Sequence, residues 1–159
     1  MPRKIQPQTT LILLKGDTIQ RGLIGQIVTR YENKGLKIVG MQMLQPTREQ
    51  VEAHYVEHKK RTFFNELVQS LITNPVIALA LEGSNAIQVV RNMHGLTDPS
   101  LSPPGTIRGD LGLEPRYNLV HASDSEENAQ RELRLWLGKS LIQWQQCQDP
   151  FIYEYEFEL

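Results

Sequence analysis

Val76-Ile-Ala-Leu-Ala-Leu81 limits what this chain can fold into more than any other segment. Six consecutive apolar residues follow the breaker Asn74-Pro75, and so short a bounded run reads as a central strand buried on both faces. A strand of that kind needs a sheet around it and helices over the sheet. The other segments supply both. Thr9 to Lys15 is a second short apolar run, stopped by Gly16-Asp17. Leu23, Ile24, Ile27, Val28 and Tyr31 form a helical stripe that ends at Lys34-Gly35, a C-cap signal. Leu36 to Leu44 alternates as a strand. Pro46-Thr47 opens a helix from Arg48 to about His58, and another helix covers Phe63 to Ile72.

Ser84 to Met93 reads as a helix with Ile87 and Val90 inward. Residues 95–117 read as a long Gly- and Pro-rich loop, a length that in a compact domain is usually functional or disordered. Asn118 to His121 is the last strand. Ser123-Asp-Ser-Glu126 then reads as a capping box before a helix that turns Ala129, Leu133, Trp136 and Leu137 to one side. The order is strand, helix, strand, two helices, strand, helix, strand, helix. No repeat, low-complexity tract or second domain interrupts it, so residues 1–159 are expected to be one α+β or α/β domain.

Charge narrows the function. Lys and Arg number 17 against 18 Asp and Glu, for a net charge of −1, without the basic excess of a nucleic-acid-coating domain. The single cysteine, Cys147, has no partner in the chain for a disulfide, which favours a reducing compartment. The first residues lack the apolar core of a signal peptide, and Leu11 to Leu14 is far too short to span a bilayer. A soluble cytoplasmic protein is expected, with no membrane and no nucleic acid as its main ligand.

Two places carry chemistry. His121 ends a strand just before a helix N-terminus, where anions bind and where a neutral imidazole can attack phosphorus. Glu132, on the following helix, is placed to fix the ring. By position alone a structural, hydrogen-bonded histidine is the commoner case. Pro104-Gly-Thr-Ile-Arg-Gly-Asp110 puts an arginine, the preferred forked donor to phosphate, between two glycines. Alone it is also an ordinary solvated loop. Lys15 and Arg91 are further cations whose usual role is a surface charge or helix-face ion pair. A Walker-type phosphate loop is absent, because Gly138-Lys139-Ser140 has Leu133 where the first glycine belongs. His54, His58, His94 and His121 have no zinc-type spacing with cysteine, and His54 and His58 lack the H-E-x-x-H glutamate, so no protein cage for a metal is expected.

Taken together these segments resemble the nucleoside diphosphate kinases. Asn118-Leu-Val-His-Ala-Ser-Asp-Ser125 is similar to that family's N-x-x-H-G-S-D-S signature. The loop from Pro104 to Asp110 resembles its phosphate loop, and Lys15-Gly-Asp17 with Gln20-Arg-Gly-Leu23 its opening motif. His54-Tyr55, Arg61-Thr-Phe-Phe64 and Gly95-Leu-Thr-Asp-Pro99 follow in the family's order. The resemblance covers about residues 8 to 154.

It implies a ferredoxin-like βαββαβ fold with a four-stranded antiparallel sheet covered by helices, and a ping-pong phosphoryl transfer through His121. It also implies that Lys15, Tyr55, Arg91, Thr97 and Arg108 surround the phosphates, and that Lys15 and Asn118 reach the sugar hydroxyls. Phe63, Leu67 and Pro115 would meet the base, and Glu132 and Ser123 would orient the imidazole. Mg²⁺ is expected to arrive on the nucleoside tri- or diphosphate, and a homo-oligomer is implied, a hexamer favoured and a tetramer possible.

Gly16, Thr62, Ala122 and Pro115 depart from the family pattern, and none of them removes a reacting group. Gly16, in place of proline, is expected to loosen the loop that holds Lys15. A member of the same fold that binds nucleotides or a partner without transferring phosphate is the remaining reading, because fold alone does not fix function. Residues 155–159 extend past the family's usual end. From Tyr153 to Leu159 apolar residues alternate with glutamates, which predicts a strand that packs along a neighbouring subunit.

Overall fold

The computed structural model describes residues 7–153. The chain runs through β1 (Gln8–Leu14), α1 (Gly16–Gln20), α2 (Ile24–Lys34), β2 (Lys37–Leu44), α3 (Arg48–His54), α4 (Phe64–Ile72) and β3 (Val76–Gly83). It continues with α5 (Ala86–His94), α6 (Ile107–Leu111), β4 (Val120–Ala122) and α7 (Glu126–Trp136). The strands form one antiparallel sheet in the order β2-β3-β1-β4, the ferredoxin-like arrangement that the resemblance implied. As expected, β3 is central and buried almost throughout.

The period of two along β1 and β3 sorts the core into two layers. Ile12, Leu14, Ile77, Leu79 and Leu81 face one side and pack with Ile27, Tyr31, Ala86 and Val90 of α2 and α5. Leu11, Leu13, Ala78 and Ala80 face the other, against Val51, Phe64, Val68, Leu71, Leu133 and Trp136 of α3, α4 and α7. Leu79 is fully buried, so Leu79→Ala leaves a cavity on the central strand. The substitution is expected to cost about 3 kcal/mol, read as a lower urea midpoint at unchanged slope.

Local chemistry corrects several expectations. Gly16-Asp17 does not merely stop a strand: it opens α1, with Lys15 as the N-cap residue. Nor is that loop loose. Gly16 is buried, a Cβ there would stand 2.5 Å from the Asn74 Cβ, and the Lys15 amide is bonded to the Leu119 carbonyl at 2.9 Å. The predicted helix from Arg48 to His58 ends at His54 and tightens into a 3₁₀ turn over Val56–His58.

The segment 95–117 is a run of short ordered pieces: 3₁₀ turns at Pro99–Leu101 and Pro115–Tyr117, with α6 between them. Its tightest point is Gly109, where a Cβ would fall 2.0 Å from the Pro103 carbonyl oxygen. The cap of α7 is Ser125, whose hydroxyl accepts from the Asn128 amide at 3.1 Å; Ser123, the expected capping residue, points elsewhere. Tyr153 donates its hydroxyl to the Gly35 carbonyl at 3.1 Å. The remainder of the predicted terminal strand, through Leu159, lies outside the described residues.

Candidate active site

The last strand is shorter than its sequence suggested because the chain kinks at Leu119, a non-glycine residue at φ 69°. That conformation costs on the order of 1–3 kcal/mol and persists only when its surroundings enforce it. Three bonds do so: Asp17 accepts from the Leu119 amide at 2.9 Å, and the Leu119 carbonyl accepts from Thr18 Oγ1 at 2.7 Å and the Lys15 amide at 2.9 Å. The kink ties the end of β1 to the start of β4, so Lys15 and Asn118 meet. Lys15 Nζ donates to Asn118 Oδ1 at 2.6 Å, and Asn118 Nδ2 donates to the Thr97 carbonyl at 3.1 Å. Burial, opposed by Asp17 and assisted by the Arg108 cation, holds the Lys15 ammonium below its usual range.

Arg108 is clasped by backbone alone. Nε donates to the Asn118 carbonyl at 3.0 Å, Nη1 to the Gly95 and Leu96 carbonyls at 3.3 Å each, and Nη2 to the Val120 carbonyl at 2.6 Å. These bonds fix the plane of the guanidinium without neutralising it. Its charge therefore remains available to an anion.

His121 follows on β4. Its Nε2 lies 3.2 and 3.3 Å from the two carboxylate oxygens of Glu132. A carboxylate only accepts, so Nε2 carries the proton and the Nδ1 lone pair is left as the nucleophile. Ser123 donates its hydroxyl to the same carboxylate in a short hydrogen bond. Glu132 is itself buried, because it falls on the inward stripe of α7 with Ala129, Leu133 and Trp136.

A cavity of about 440 Å³ opens over these groups. Lys15, Tyr55, Leu67, Arg91, Thr97, Arg108, Asn118, His121 and Glu132 all line it, which brings together most of the predicted site. Ser123 acts from beneath, through Glu132. Phe63 and Pro115 do not line the cavity and are exposed; the Phe63 ring sits 5.9 Å from that of His58, at the rim. Burial and the Glu132 charge push the Tyr55 hydroxyl up to about 12, so it stays protonated and can donate.

Sequence reasoning left out four lining residues of consequence: His54, His94, Asp124 and Arg131. His54 stands edge-on against the His121 ring at 4.5 Å between centroids, and its Nδ1 accepts from the Trp136 indole at 3.1 Å. Burial first, then the nearby His121, Arg131 and His58, hold it well below the usual histidine range. Its place in His54-Tyr55, beside a predicted phosphate residue, was the available signal.

Among the described residues, His54, His121 and Glu132 are the group close enough to share a metal, their ligand atoms lying within 4.8 Å of one another. Two imidazoles and one carboxylate suit a zinc-like ion better than the all-oxygen shell Mg²⁺ prefers. The cations Lys15, Arg91, Arg108 and Arg131 outweigh the lining carboxylates Glu57, Asp124 and Glu132. That balance suits an anion that brings its own divalent ion.

The nucleoside diphosphate kinase family model matches residues 8–142. A nucleoside diphosphate kinase of Archaeoglobus fulgidus is 46% identical over 148 residues, 92% of this chain and 98% of that protein. Among solved structures, a halophilic nucleoside diphosphate kinase from Halobacterium salinarum in complex with CDP superposes with a TM-score of 0.90. It is 40% identical, over 94% of this chain and all of that one. The Borrelia burgdorferi enzyme, solved as a transition-state mimic with bound vanadate and ADP, superposes with a TM-score of 0.84. It is 33% identical, over 90% of this chain and 95% of that one. Fold and site thus define a phosphotransferase that works on nucleotides. The chain belongs to the nucleoside diphosphate kinase family.

Proposed function

We infer that this protein is a nucleoside diphosphate kinase that exchanges the terminal phosphoryl group between nucleotides through His121. The observation that carries this reading is the His121–Glu132 pair on a cavity lined by Lys15, Arg91 and Arg108. In the first half-reaction the Nδ1 lone pair forms a bond to the γ-phosphorus of a nucleoside triphosphate. The bond from that phosphorus to the bridging oxygen breaks, and the diphosphate leaves with the electron pair. In the second half, a terminal oxygen of another nucleoside diphosphate attacks the phosphohistidine and the N–P bond breaks. One nucleotide site serves both halves.

The chain's residues contribute position and charge, which dominate phosphoryl transfer. Glu132 keeps the Nε2 proton and offsets the positive charge that grows on the ring, with Ser123 holding its carboxylate. Arg108, Arg91 and Lys15 face the phosphate oxygens, joined by the Tyr55 and Thr97 hydroxyls. Lys15 and Asn118 reach the ribose hydroxyls. Phe63 stacks on the base, with Leu67 and Pro115 also against the nucleotide, and because every base offers a π-face such stacking suits weak discrimination among bases. Mg²⁺ enters as part of the nucleotide substrate, retaining several waters.

We take residues 1–159 as one such domain, acting in the cytoplasm as a homo-oligomer, a hexamer in preference to a tetramer. No helix among the described residues is long and apolar enough to cross a membrane.

Incubation with γ-labelled ATP and Mg²⁺ is the direct test. The protein is expected to take up label that is acid-labile and base-stable, and to lose it when GDP is added. A wild-type protein that stays unlabelled would end the phosphohistidine reading.

A further inference from the structure

Tyr31 and His94 are titratable and buried, and the transfer scheme above uses neither. Tyr31, on α2, is 0% exposed and His94, the last residue of α5, is 2% exposed. The phenol oxygen lies 2.6 Å from His94 Nε2. Where the protons sit follows by elimination. Among the described residues the phenol has no other hydrogen-bond partner. If Nε2 carried the ring proton, the Tyr31 hydroxyl would accept and its own O–H would be a buried donor aimed at nothing. Tyr31 therefore donates, Nε2 accepts, and the ring proton sits on Nδ1.

Nδ1 makes no hydrogen bond to the described protein, yet it is not sealed in the core. Among the described residues, the fully buried side-chain polar atoms without a partner are Thr10 Oγ1 and Asp149 Oδ1. His94 lines the cavity together with Arg91, Thr97 and Arg108, so the small exposure left to the residue opens there. Burial, and then Arg108, His121 and Arg91, hold His94 well below the usual histidine range, so the ring stays uncharged. An uncharged donor suits this place. It adds a hydrogen bond for a phosphate oxygen without adding another cation to a crowded group of arginines.

We propose that His94, locked by Tyr31 with its proton on Nδ1, is a further phosphate-binding residue of the nucleotide site. This rests on the reading of the cavity as a nucleotide phosphate site. Tyr31 is then a positioning residue, acting only through the imidazole.

The test uses the full-length protein labelled with ¹⁵N-histidine. In the wild type the ¹⁵N shifts are expected to show His94 protonated at Nδ1 and bare at Nε2, and the Nδ1–H signal is expected to move when ADP is added. Three replacements separate donor from bulk. His94→Leu keeps the volume and removes the donor, His94→Asn puts an amide N–H near the Nδ1 position, and His94→Gln reaches toward Nε2 instead.

ADP affinity, measured by calorimetry, is expected to fall about tenfold in the Leu and Gln variants and to be largely restored in Asn, a hydrogen bond to a charged group being of that size. Tyr31→Phe, which deletes one oxygen, is expected to give mixed tautomers and a several-fold loss. An Nε2–H tautomer in the wild type, unchanged ADP affinity in His94→Leu, or an Asn variant no better than Leu would overturn the proposal. A His94-dependent loss of ADP binding in a protein that takes no label from ATP would count against the transfer reading alone.

Discussion

Replacing His121 with alanine is expected to lower the rate of phosphoryl exchange by at least about 10⁴-fold, the scale seen when an enzyme loses its nucleophile. Tyr55 and His54, close by, are poor substitutes: Tyr55 is half-buried and held protonated, and His54 is engaged at Nδ1 by the Trp136 indole. The loss is expected without collapse of the fold. His121 is half-exposed on the cavity side, and β4 keeps its pairing with β1 through Ile12, Leu13 and Leu14. The measurement is exchange between ATP and a second nucleoside diphosphate, alongside a urea midpoint close to wild type and retained ADP binding. Residual labelling in the His121→Ala protein would move the nucleophile elsewhere.

The second large effect is at Arg108. Arg108→Ala is expected to lower kcat by about 10²–10³-fold, because charge spread over the transferring group is greatest in the transition state. Part of that loss has a structural route. Without the guanidinium, the carbonyls of Gly95, Leu96, Asn118 and Val120 lose the donor that gathers them, so Asn118 and the start of β4 drift. Arg108→Lys keeps a charge but cannot reach four carbonyls at once, so it is expected to recover only a minor share. Phe63→Ala makes the contrast. The ring sits at the rim beside His58, outside the cavity lining, and its loss is expected to raise KM several-fold at nearly unchanged kcat. A kcat loss at Phe63 exceeding that at Arg108 would reverse the assigned roles.

Local pattern determined a great deal about this protein. The apolar run from Val76 to Leu81 read as a doubly covered strand because its side chains alternate into two cores, and both exist. The helix ending at Gly35 and the inward face of α7 followed from the 3.6-residue period, which depends on neighbours along the chain and on little else. It was the resemblance of the motifs to the nucleoside diphosphate kinases that put Lys15, Arg108, His121 and Glu132 in one site, and the cavity has all four in its lining.

What the sequence could not display were decisions between segments far apart in the chain. The left-handed turn at Leu119 is forced by Asp17, Thr18 and Lys15, about a hundred residues away, and no local propensity favours it in a leucine. Ser125 won the helix cap from Ser123 because the buried Glu132 carboxylate claimed the Ser123 hydroxyl. In the sequence His94 fell just past a helix expected to end at Met93, one of four histidines without a metal-type spacing. Only packing α5 against α2 places the Tyr31 phenol on its ring and so decides which nitrogen carries the proton. Periodicity specifies which face of an element is buried; the partner a buried polar group finds there depends on the whole chain, and only the folded structure decides it.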